Sequence, residues 1–399
     1  MREDPARLEF EIEARDGAAR TGRLRTVHGE VATPAFIPLA TRGAVRSLTA
    51  VEVAGLGYEL ILANTFHLFL APGAERITAL GGLHRFIGWE RALITDSGGF
   101  QVFSLAHGTV ADEIKGRRGG AGGSGGVLEI SERGVAFRSY VDGSKRFMGP
   151  EESMATQAAL GSDIALAFDE CTPYHADRDY TARSTERTHR WLDRCLEWHA
   201  RHGAAHQAVF GIVQGGVDPS LRRASVAAIG ALAFDGIAIG GLSVGESKAD
   251  MAATLEVVAD ALGDDLRPRY LMGVGSPADF FTAVERGVDL FDCVLPTRVA
   301  RTGQVWTDAG RLNLRNAALQ DDPGPIDAGC ACEACRNHSR AYLAHLFRAR
   351  ELLAYRLASV HNVTWTLGLM RRLRASLADG SFAALREGVV RAFGRDAAG

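Results

Sequence analysis

Two aspartates, Asp96 and Asp292, each follow a short apolar run and are the first candidates for chemistry. Asp96 opens the segment DSGGFQ directly after Ala92–Thr95, and Asp292 lies within FDCVLPTR. Two carboxylates that face one bound substrate suit chemistry at an anomeric carbon. One attacks C1′ as a nucleophile, and the other manages the proton of the leaving group. For either residue alone, the competing interpretation is a helix N-cap, a frequent role of aspartate at such a position.

Three other apolar runs end in segments that could line a pocket for a flat polar ligand. Their glycines let backbone N–H and C=O groups approach such a ligand closely, and their carboxylate and amide side chains offer acceptors and donors to a base edge. Phe100 and Met272 are suited to cover the two faces of a planar ring. The three segments are Asp169-Glu170-Cys171, Gln214-Gly215-Gly216 and Gly240-Gly241-Leu242.

The elements that position these residues are eight short apolar runs, separated mostly by segments with helical periodicity. Runs of this length are typical of buried parallel strands, and eight strand–helix units predict a (β/α)8 TIM barrel. Polar residues at the carboxyl ends of barrel strands are typical of catalytic sites. The runs, with their polar tips, are Ala35–Thr41, Leu60–Thr65, Ala92–Gly99, Asp163–Thr172, Ala208–Gly216, Gly236–Glu246, Arg269–Ser276 and Val288–Arg298.

Three of the six cysteines cluster as Cys330, Cys332 and Cys335, which indicates a metal site in a chain with no sign of secretion. Structural Zn²⁺ takes four tetrahedral ligands, commonly three Cys and one His. The candidates for the fourth ligand are His338, His345 and His361, and spacing alone favours His338. An iron–sulfur or redox role is the alternative, although iron–sulfur sites usually need a fourth Cys.

The order of these features predicts four regions. Residues 1–34 form a lead-in that is β-rich over 18–34, residues 35–301 form the barrel, residues 302–363 form a zinc-binding subdomain after the eighth strand, and residues 364–399 complete the barrel. The arginine-rich C-terminal part is predicted to form helices over Ser339–His361 and Thr364–Arg395. The Gly-rich stretch 115–126 is predicted to be a mobile loop, either a tolerated insertion or an RNA contact.

Composition limits the function classes. The chain has 399 residues, 46% of them hydrophobic, and a net charge of −3, so it is not basic overall, although a local basic face remains possible. The polar N-terminus lacks an apolar signal segment, and no run approaches the length needed to span a bilayer. We therefore expect a cytoplasmic protein.

Together these motifs resemble tRNA-guanine transglycosylase, the queuine tRNA-ribosyltransferase family, from about Leu8 to Arg395. The similarity is specific because seven long motifs occur in the same order. They are Ile61–Leu68, Thr95–Leu105, Phe168–Tyr174, Gly236–Glu246, Arg269–Gly275, Phe291–Arg298 and the cysteine cluster.

The resemblance implies a role for each matching residue. Asp292 matches the nucleophile that forms a covalent link to ribose, and Asp96 matches the general acid/base. Arg298 and Arg301 match arginines near the anticodon loop, and His361 replaces His338 as the fourth ligand of a structural zinc, one per subunit, with the three cysteines. The base pocket is matched by Phe100, Asp169, Cys171, Gln214, Gly241, Leu242 and Met272.

The resemblance also implies substrates and partners. They are tRNAs with GUN anticodons (Asp, Asn, His and Tyr), guanine as the leaving base and preQ1 as the incoming base, with a homodimer as the working form. Cys171 and Val244 match bacterial relatives, whereas Ser243 stands where those relatives more often have Ala. Two alternatives remain: a non-catalytic tRNA-binding subunit of a queuine transglycosylase, and a metal-dependent barrel hydrolase that uses His67 and His107.

Overall fold

A computed structural model describes residues 7–107 and 127–394 of the chain. The Gly-rich stretch 115–126, for which a loop is predicted, lies outside the described residues. Within them, no helix is both long enough and apolar enough to cross a membrane.

The central element is a closed barrel of eight parallel strands, which confirms the predicted TIM barrel. Each strand pairs with the next along the chain, and the eighth closes on the first, with Asp292 beside Ile37. Each predicted run contains one strand, and the polar tips of the runs form loops or the first residues of the following helices. Barrel strands 1 to 8 are Ala35–Ala40, Leu60–Ala63, Ala92–Thr95, Ile164–Leu166, Ala208–Val213, Gly236–Ile239, Arg269–Leu271 and Leu290–Cys293.

Helices cover the outside of the barrel, and side-chain caps fix where several of them begin. The 25-residue helix Arg178–His202 starts after Asp177, whose carboxylate accepts a hydrogen bond from the Tyr180 amide. Proline occupies the first turn of Pro219–Gly230 and Pro277–Val284, where its missing N–H costs nothing. The other helices up to residue 300 are Ala50–Leu56, Thr65–Leu70, Ala74–Ala79, Gly82–Ile87, Gly99–His107, Pro150–Leu160, Lys248–Leu262 and Leu295–Ala300.

The barrel interior is a packed apolar core built from alternate strand residues, including Ile94, Ile212, Tyr270 and Leu290. An antiparallel sheet of three strands covers the amino ends of the barrel and contributes Leu24 to the same cluster. Its strands are Glu9–Asp16, Ala19–Thr26 and Gly29–Thr33, so the lead-in is β-structured from residue 9, earlier than the predicted 18.

A second antiparallel sheet follows barrel strand 3, where the sequence pattern predicts only helices and a loop. Its strands are Val127–Ser131, Gly134–Arg138 and Lys145–Met148. Turns at Glu132-Arg133 and around Gly143, which has a φ of 72°, reverse the chain between them. Helix Pro150–Leu160 follows this sheet and returns the chain to the start of barrel strand 4. Residues 127–148 therefore lie beside the carboxyl end of the barrel.

The segment after barrel strand 8 contains a hairpin, Gln304–Thr307 and Gly310–Asn313, followed by the cysteine cluster and C-terminal helices. The predicted helix break between His361 and Thr364 is wrong, because one helix runs from Leu352 to Asp379. The breaks fall where the backbone enters the left-handed region, at Arg350 (φ 58°) and Gly380 (φ 77°). The helices here are Glu333–Asn337, Arg340–Ala349, Leu352–Asp379 and Phe382–Phe393, with a 3-10 turn at Ala317–Leu319.

Candidate active site at the carboxyl ends of the barrel strands

The alternation of a strand explains why the candidate residues meet at the mouth of the barrel. Side chains two positions apart lie on the same face of a strand. Ile94, Ile212 and Leu290 point into the barrel core. The residues two positions further on therefore emerge at the carboxyl end of the same inner face, and these are Asp96, Gln214 and Asp292.

Asp292 is held by one carboxylate oxygen. Its Oδ1 accepts hydrogen bonds from the Tyr270 hydroxyl at 2.5 Å and from the Gly273 amide at 2.9 Å. Its Oδ2 receives no hydrogen bond from the residues that the structure describes. Burial raises the pKa of Asp292, while the bonds from Tyr270 and Gly273 oppose that rise. The side chain is therefore fixed in orientation with one oxygen available to react.

Asp96 is bonded differently. Its Oδ1 accepts from the backbone amides of Thr65 at 2.8 Å and Gly98 at 3.2 Å, and its Oδ2 lies against the Asn64 amide group. Burial raises the pKa of Asp96 to about 7, and the charge of Asp292 adds to the rise. An acid with a pKa near neutrality is suited to give and take a proton, because both of its forms are populated.

Asp169 and Gln214 lie side by side at the barrel mouth and form the floor of the base pocket that the sequence predicts. Asp169 accepts from the Ser97 hydroxyl at 2.9 Å and from Gln214 Nε2 at 2.6 Å, and burial raises its pKa to about 6. Gln214 Oε1 is buried without a hydrogen-bond partner among the described residues. An unpaired acceptor beside a carboxylate is ready to bind the N–H groups of a flat polar ligand.

Gly241 brings backbone against this floor. Its φ of 65° is in the left-handed region, and a Cβ there would lie 2.4 Å from Gln214 Oε1, so a side chain would fill the pocket. Arg222 fixes this segment. Its guanidinium is buried and donates to the carbonyls of Val213 at 3.0 Å, Gly240 at 2.8 Å and Gly241 at 3.3 Å. Hydrogen bonds from the buried Arg222 side chain thus fix the position of the loop at Gly241.

The other pocket candidates lie in the same region of the barrel. Phe100 follows Gly99, and a Cβ at Gly99 would meet the Asp169 backbone oxygen at 2.4 Å, so the chain passes close to the pocket floor. Leu242 and Cys171 are buried, and Met272 is partly buried at the end of the inner face of barrel strand 7. Burial raises the pKa of the Cys171 thiol to about 12, so it is not a thiolate nucleophile at neutral pH.

Arginines at the rim form a cationic group on the side of Asp292. Arg298 and Arg301 are exposed on and just after the short helix Leu295–Ala300. Burial lowers the pKa of Arg301, and the positive charges of Arg46 and Arg298 lower it further. Arg46 is exposed in the loop after barrel strand 1 and was not singled out from the sequence. The three cations favour a polyanion over a neutral partner.

The cysteine cluster lies outside the barrel and is completed by His361, not by His338. Ligand atoms of Cys330, Cys332, Cys335 and His361 all lie within 4.8 Å of one another, so they could hold a metal ion. His361 Nε2 is 2.7 Å from the Trp306 carbonyl, which places the proton on that nitrogen and turns Nδ1 toward Cys335 Sγ, 3.2 Å away. This orientation is the one that metal-binding histidines adopt.

A second group of potential metal ligands, His28, His84 and Asp163, lies where barrel strand 4 begins, at the opposite end from Asp292. At the mouth, His67 Nδ1 is 2.7 Å from the Tyr140 hydroxyl, and burial lowers the pKa of His67 to about 4. Neither metal-capable group found among residues 7–107 and 127–394 is at the mouth. The metal-dependent hydrolase therefore gains no support.

Sequence reasoning missed several contributors to the site, notably Asn64, Tyr270 and Arg222. Tyr270 lies in a strand whose other residues are buried, so its type and position are typical of core packing. Arg222 sits on an outer helix with few signs of burial in the sequence, yet its side chain reaches both the loop after barrel strand 5 and the loop after barrel strand 6. Only the three-dimensional contacts reveal these roles.

Comparison with known proteins identifies the family of this chain. The family model described as Queuine tRNA-ribosyltransferase matches residues 16–395. A queuine tRNA-ribosyltransferase of Moorella thermoacetica is 52% identical over 366 residues, 92% of this chain and 92% of that protein. One of Roseiflexus sp. (strain RS-1) is 50% identical over 394 residues, 95% of this chain and 98% of that protein. The chain therefore belongs to the queuine tRNA-ribosyltransferase family, the tRNA-guanine transglycosylases.

Proposed function

We propose that this transglycosylase replaces guanine at wobble position 34 of tRNAs with GUN anticodons by preQ1, 7-aminomethyl-7-deazaguanine. The observation that carries the proposal is the pair of buried carboxylates with unlike surroundings. Asp292 has one oxygen fixed and one unbonded, and Asp96 has a pKa of about 7. Such a pair divides the work between a nucleophile and an acid/base.

In the first half of the reaction, Asp292 Oδ2 forms a bond to C1′ of the ribose as the bond from C1′ to guanine N9 breaks. Asp96 in its protonated form gives its proton to the departing guanine. The product is a covalent ester between Asp292 and the ribose. Tyr270 and Gly273 keep their bonds to Oδ1, so the reacting oxygen stays aimed while the ester forms.

In the second half, preQ1 occupies the pocket that guanine has left. Asp96, now a carboxylate, takes the proton from N9 as that nitrogen attacks C1′, and the ester bond to Asp292 breaks. Two inversions preserve the configuration at C1′, and the proton balance of the enzyme is restored. The exchange is ping-pong because the two bases use one pocket in turn.

The pocket recognises the shared edge of both bases. Asp169 accepts hydrogen bonds from the base, Gln214 and the Gly241 backbone supply further polar contacts, and Phe100 and Met272 cover the two faces. The Leu242 carbonyl accepts a hydrogen bond from the aminomethyl group of preQ1. Guanine recognition is supported by the Gln214 oxygen, since a base can satisfy it and no residue within 7–107 and 127–394 does.

The choice of preQ1 over the larger base queuine rests on a compact pocket wall. Cys171 and Val244 are 8% and 5% exposed, so little space is open around them. Ser243 lies between Leu242 and Val244 with a φ of 61°, and its amide donates to Glu246. The loop is thus held in a tight conformation, which supports a small substituent on the incoming base.

The tRNA is positioned by the arginines at the rim. Arg298 and Arg301, with Arg46, bind phosphates of the anticodon loop, which places the nucleotide without reading its sequence. The base leaves the stack easily because the anticodon loop is single-stranded. The resemblance further implies a homodimer, which analytical ultracentrifugation of the enzyme with and without tRNA can test.

The Cys330, Cys332, Cys335 and His361 cluster is proposed to hold one structural Zn²⁺ per subunit. Three thiolates and an imidazole with its second nitrogen bonded to a backbone carbonyl are the donor set that structural zinc prefers. The metal supplies no chemistry at the mouth. A bound ion would tie the segment of Cys330, Cys332 and Cys335 to the long helix Leu352–Asp379, which carries His361.

The test is incorporation of labelled preQ1, beside labelled queuine, into unmodified tRNA with a GUN anticodon. We expect incorporation of preQ1 alone. Queuine uptake would keep the enzyme class and contradict the compact pocket. Asp292→Asn is expected to lose turnover while still binding tRNA, and retained turnover would refute its role as nucleophile. If the wild-type chain binds tRNA and incorporates neither base, the non-catalytic subunit is the better interpretation.

A further inference from the structure

Three side chains that the exchange reaction does not use meet at the rim of the barrel mouth. Arg42 follows barrel strand 1, His67 lies in the helix Thr65–Leu70 after barrel strand 2, and Tyr140 lies between strands Gly134–Arg138 and Lys145–Met148. We name this group the Tyr140 cluster. Because three separate segments contribute to it, the cluster is a product of the tertiary fold.

The Tyr140 cluster holds an aromatic ring in place while leaving it open to solvent. The Tyr140 hydroxyl is 2.7 Å from His67 Nδ1 and accepts a hydrogen bond from Arg42 at 3.3 Å. Arg42 Cζ lies 5.7 Å from the ring centroid, and the Phe66 ring lies 6.1 Å away. Even so, Tyr140 is 46% exposed. A ring fixed by its hydroxyl and its neighbours loses little entropy when a ligand stacks on it.

The cluster lies next to the acid of the exchange reaction. The His67 amide donates to Asn64 Oδ1 at 3.0 Å, and the Asn64 side-chain amide lies against Asp96. On the other side, the loop that carries Arg42 continues to Arg46, which belongs to the cationic group with Arg298 and Arg301. The open ring and the arginines therefore belong to one continuous rim.

The charges of the cluster favour a nucleotide over other flat ligands. Burial lowers the pKa of His67 to about 4, and the positive charge of Arg42 lowers it further, so His67 is neutral at physiological pH. Arg42 is thus the cation of the group. An exposed aromatic ring beside one arginine is the combination with which proteins bind unpaired nucleotides, the ring stacking on the base and the cation meeting the phosphate.

We propose that Tyr140 is a stacking platform for the unpaired base next to the exchanged nucleotide, with Arg42 on the adjoining phosphate. This inference rests on the proposed function, since it takes the anticodon loop as the ligand. When the target base enters the barrel, it no longer stacks on its neighbour in the anticodon loop. Stacking of that neighbour on Tyr140 offsets part of the lost free energy. The competing explanation is structural: the cluster only fastens the sheet of residues 127–148 to the barrel.

Steady-state kinetics of four variants separates these explanations. Tyr140→Leu removes the aromatic face, and we expect the KM for tRNA to rise about tenfold while the KM for preQ1 changes less than about twofold. Tyr140→Phe and Tyr140→Trp keep a ring and should stay within about threefold of the wild type. Tyr174→Leu is the matched control, because Tyr174 is 41% exposed but donates to Asp250, and its tRNA KM should not change.

Two results would overturn the platform. One is an unchanged tRNA KM in Tyr140→Leu, and the other is a loss in Tyr140→Phe as large as that in Tyr140→Leu, which would assign the role to the hydroxyl. A second measurement detects base stacking directly in the bound complex, so it requires neither turnover nor wild-type stability of the variants. Anticodon stem-loops with 2-aminopurine at position 33 or 35 are bound to the Asp292→Asn enzyme, with and without Tyr140→Phe or Tyr140→Leu.

We expect fluorescence to be quenched at one of the two positions on binding, with the quenching kept in Tyr140→Phe and lost in Tyr140→Leu. No quenching at either position by bound enzyme overturns the platform. If the wild-type enzyme incorporates no base while position-specific quenching by Tyr140 is seen, the proposed exchange fails and the platform stands.

Discussion

Replacing Tyr270 by Phe removes one hydroxyl from the interior of the barrel, and its effect on Asp292, the proposed nucleophile, can be worked out from the contacts. The hydroxyl donates to Asp292 Oδ1 at 2.5 Å, and the Gly273 amide is the other donor to that oxygen. A hydrogen bond to a buried charged group contributes about 1.5–3 kcal/mol. Its loss therefore raises the pKa of Asp292 further, because the ionised form loses about that much stabilisation.

The sign of the effect on rate follows from the role of Asp292. A nucleophilic carboxylate must be ionised, so activity falls as the pH drops through its pKa, and in Tyr270→Phe this fall begins at a higher pH. We expect kcat/KM to be about 10–100 times below the wild type at the acidic end, and the ratio to approach one as the pH rises. Asp96 titrates in both the wild type and the variant, so its contribution cancels in the ratio of their kcat/KM values. The apparent pKa values in each profile belong to Asp96 and Asp292 as a coupled pair.

The assay is exchange of labelled guanine into tRNA across pH 5 to 9, with Tyr58→Phe as the matched control. Tyr58 is also buried, and its hydroxyl donates to the Val363 carbonyl at 2.8 Å, outside the barrel mouth. Its removal should lower stability without changing the pH profile. A Tyr270→Phe enzyme whose activity is reduced equally at every pH would refute the reasoning, since loss of packing or orientation alone has no pH dependence.

Three further predictions concern residues that hold the site together. Arg222→Lys keeps the charge but loses the forked donors, so the loop at Gly241 loosens, and steady-state kinetics should show the KM for preQ1 rising about tenfold with the tRNA KM within about twofold. Arg46→Ala should weaken tRNA binding and lower the slope of log Kd against log salt by about one, as Arg301→Ala should, in titrations at several salt concentrations. A chelator that strips the Cys3His cluster should lower Tm by more than about 5 °C in thermal scans, and added Zn²⁺ should restore it. His361→Ala should show the low Tm with or without the metal.

The barrel could be predicted from the sequence because its strands are short, apolar and buried on both faces, a pattern that survives without tertiary information. The sheet of residues 127–148 could not, since its outward residues are mixed and its contacts come from folding back on the barrel. The alternation of polar and apolar residues from Glu9 to Ile12 is typical of a strand, so the start of the lead-in sheet at residue 9 could have been predicted. The true helix break at Arg350 carries no glycine or proline, so local sequence gives no sign of it.

Of the candidate functional residues, those at strand ends could likewise be predicted from the sequence, and the fourth ligand of the cysteine cluster could not be predicted from spacing. Asp96, Gln214 and Asp292 lie at strand ends, where the period of two fixes their direction, and they are brought to one mouth as expected. His361 lies in the middle of a helix, 26 residues after Cys335, so spacing alone favours the wrong histidine, His338. Distances along the chain predict local contacts and cannot predict which helix face meets a distant loop.

The two ends of the barrel give their buried aspartates different partners, and this contrast can be tested by stability. At the amino end, Asp289 is paired with Arg20 through two hydrogen bonds of 2.9 and 2.6 Å, both side chains being fully buried. At the mouth, Asp169 is bonded to neutral groups, Ser97 and Gln214, and its pKa is raised to about 6 from an ordinary value of 3.8. Burial raises the pKa of Asp289 as well, but there the charge and hydrogen bonds of Arg20 oppose the rise, whereas no cation among the described residues is bonded to Asp169.

A raised carboxyl pKa destabilises the folded state once the unfolded chain ionises. For Asp169 the penalty is absent below about pH 4, develops between about pH 4 and 6, and reaches about 3 kcal/mol above that range. Asp169→Asn removes the charge, and a flip of the Gln214 amide would let its unpaired oxygen accept from the new amide. We therefore expect Asp169→Asn to be more stable by about 1–3 kcal/mol at pH 8, with no gain near pH 4, and to lose base exchange.

The same substitution at the amino end should act in the reverse direction. Asp289→Asn leaves Arg20 buried without its counter-charge, which costs about 3–5 kcal/mol. Chemical denaturation of both variants at pH 8 measures the difference directly. Equal destabilisation of the two would mean that Asp169 is compensated in the folded enzyme by a charge that its contacts do not show. A gain for Asp169→Asn with a loss for Asp289→Asn would establish that the mouth gives up stability to keep an acid ready for the base.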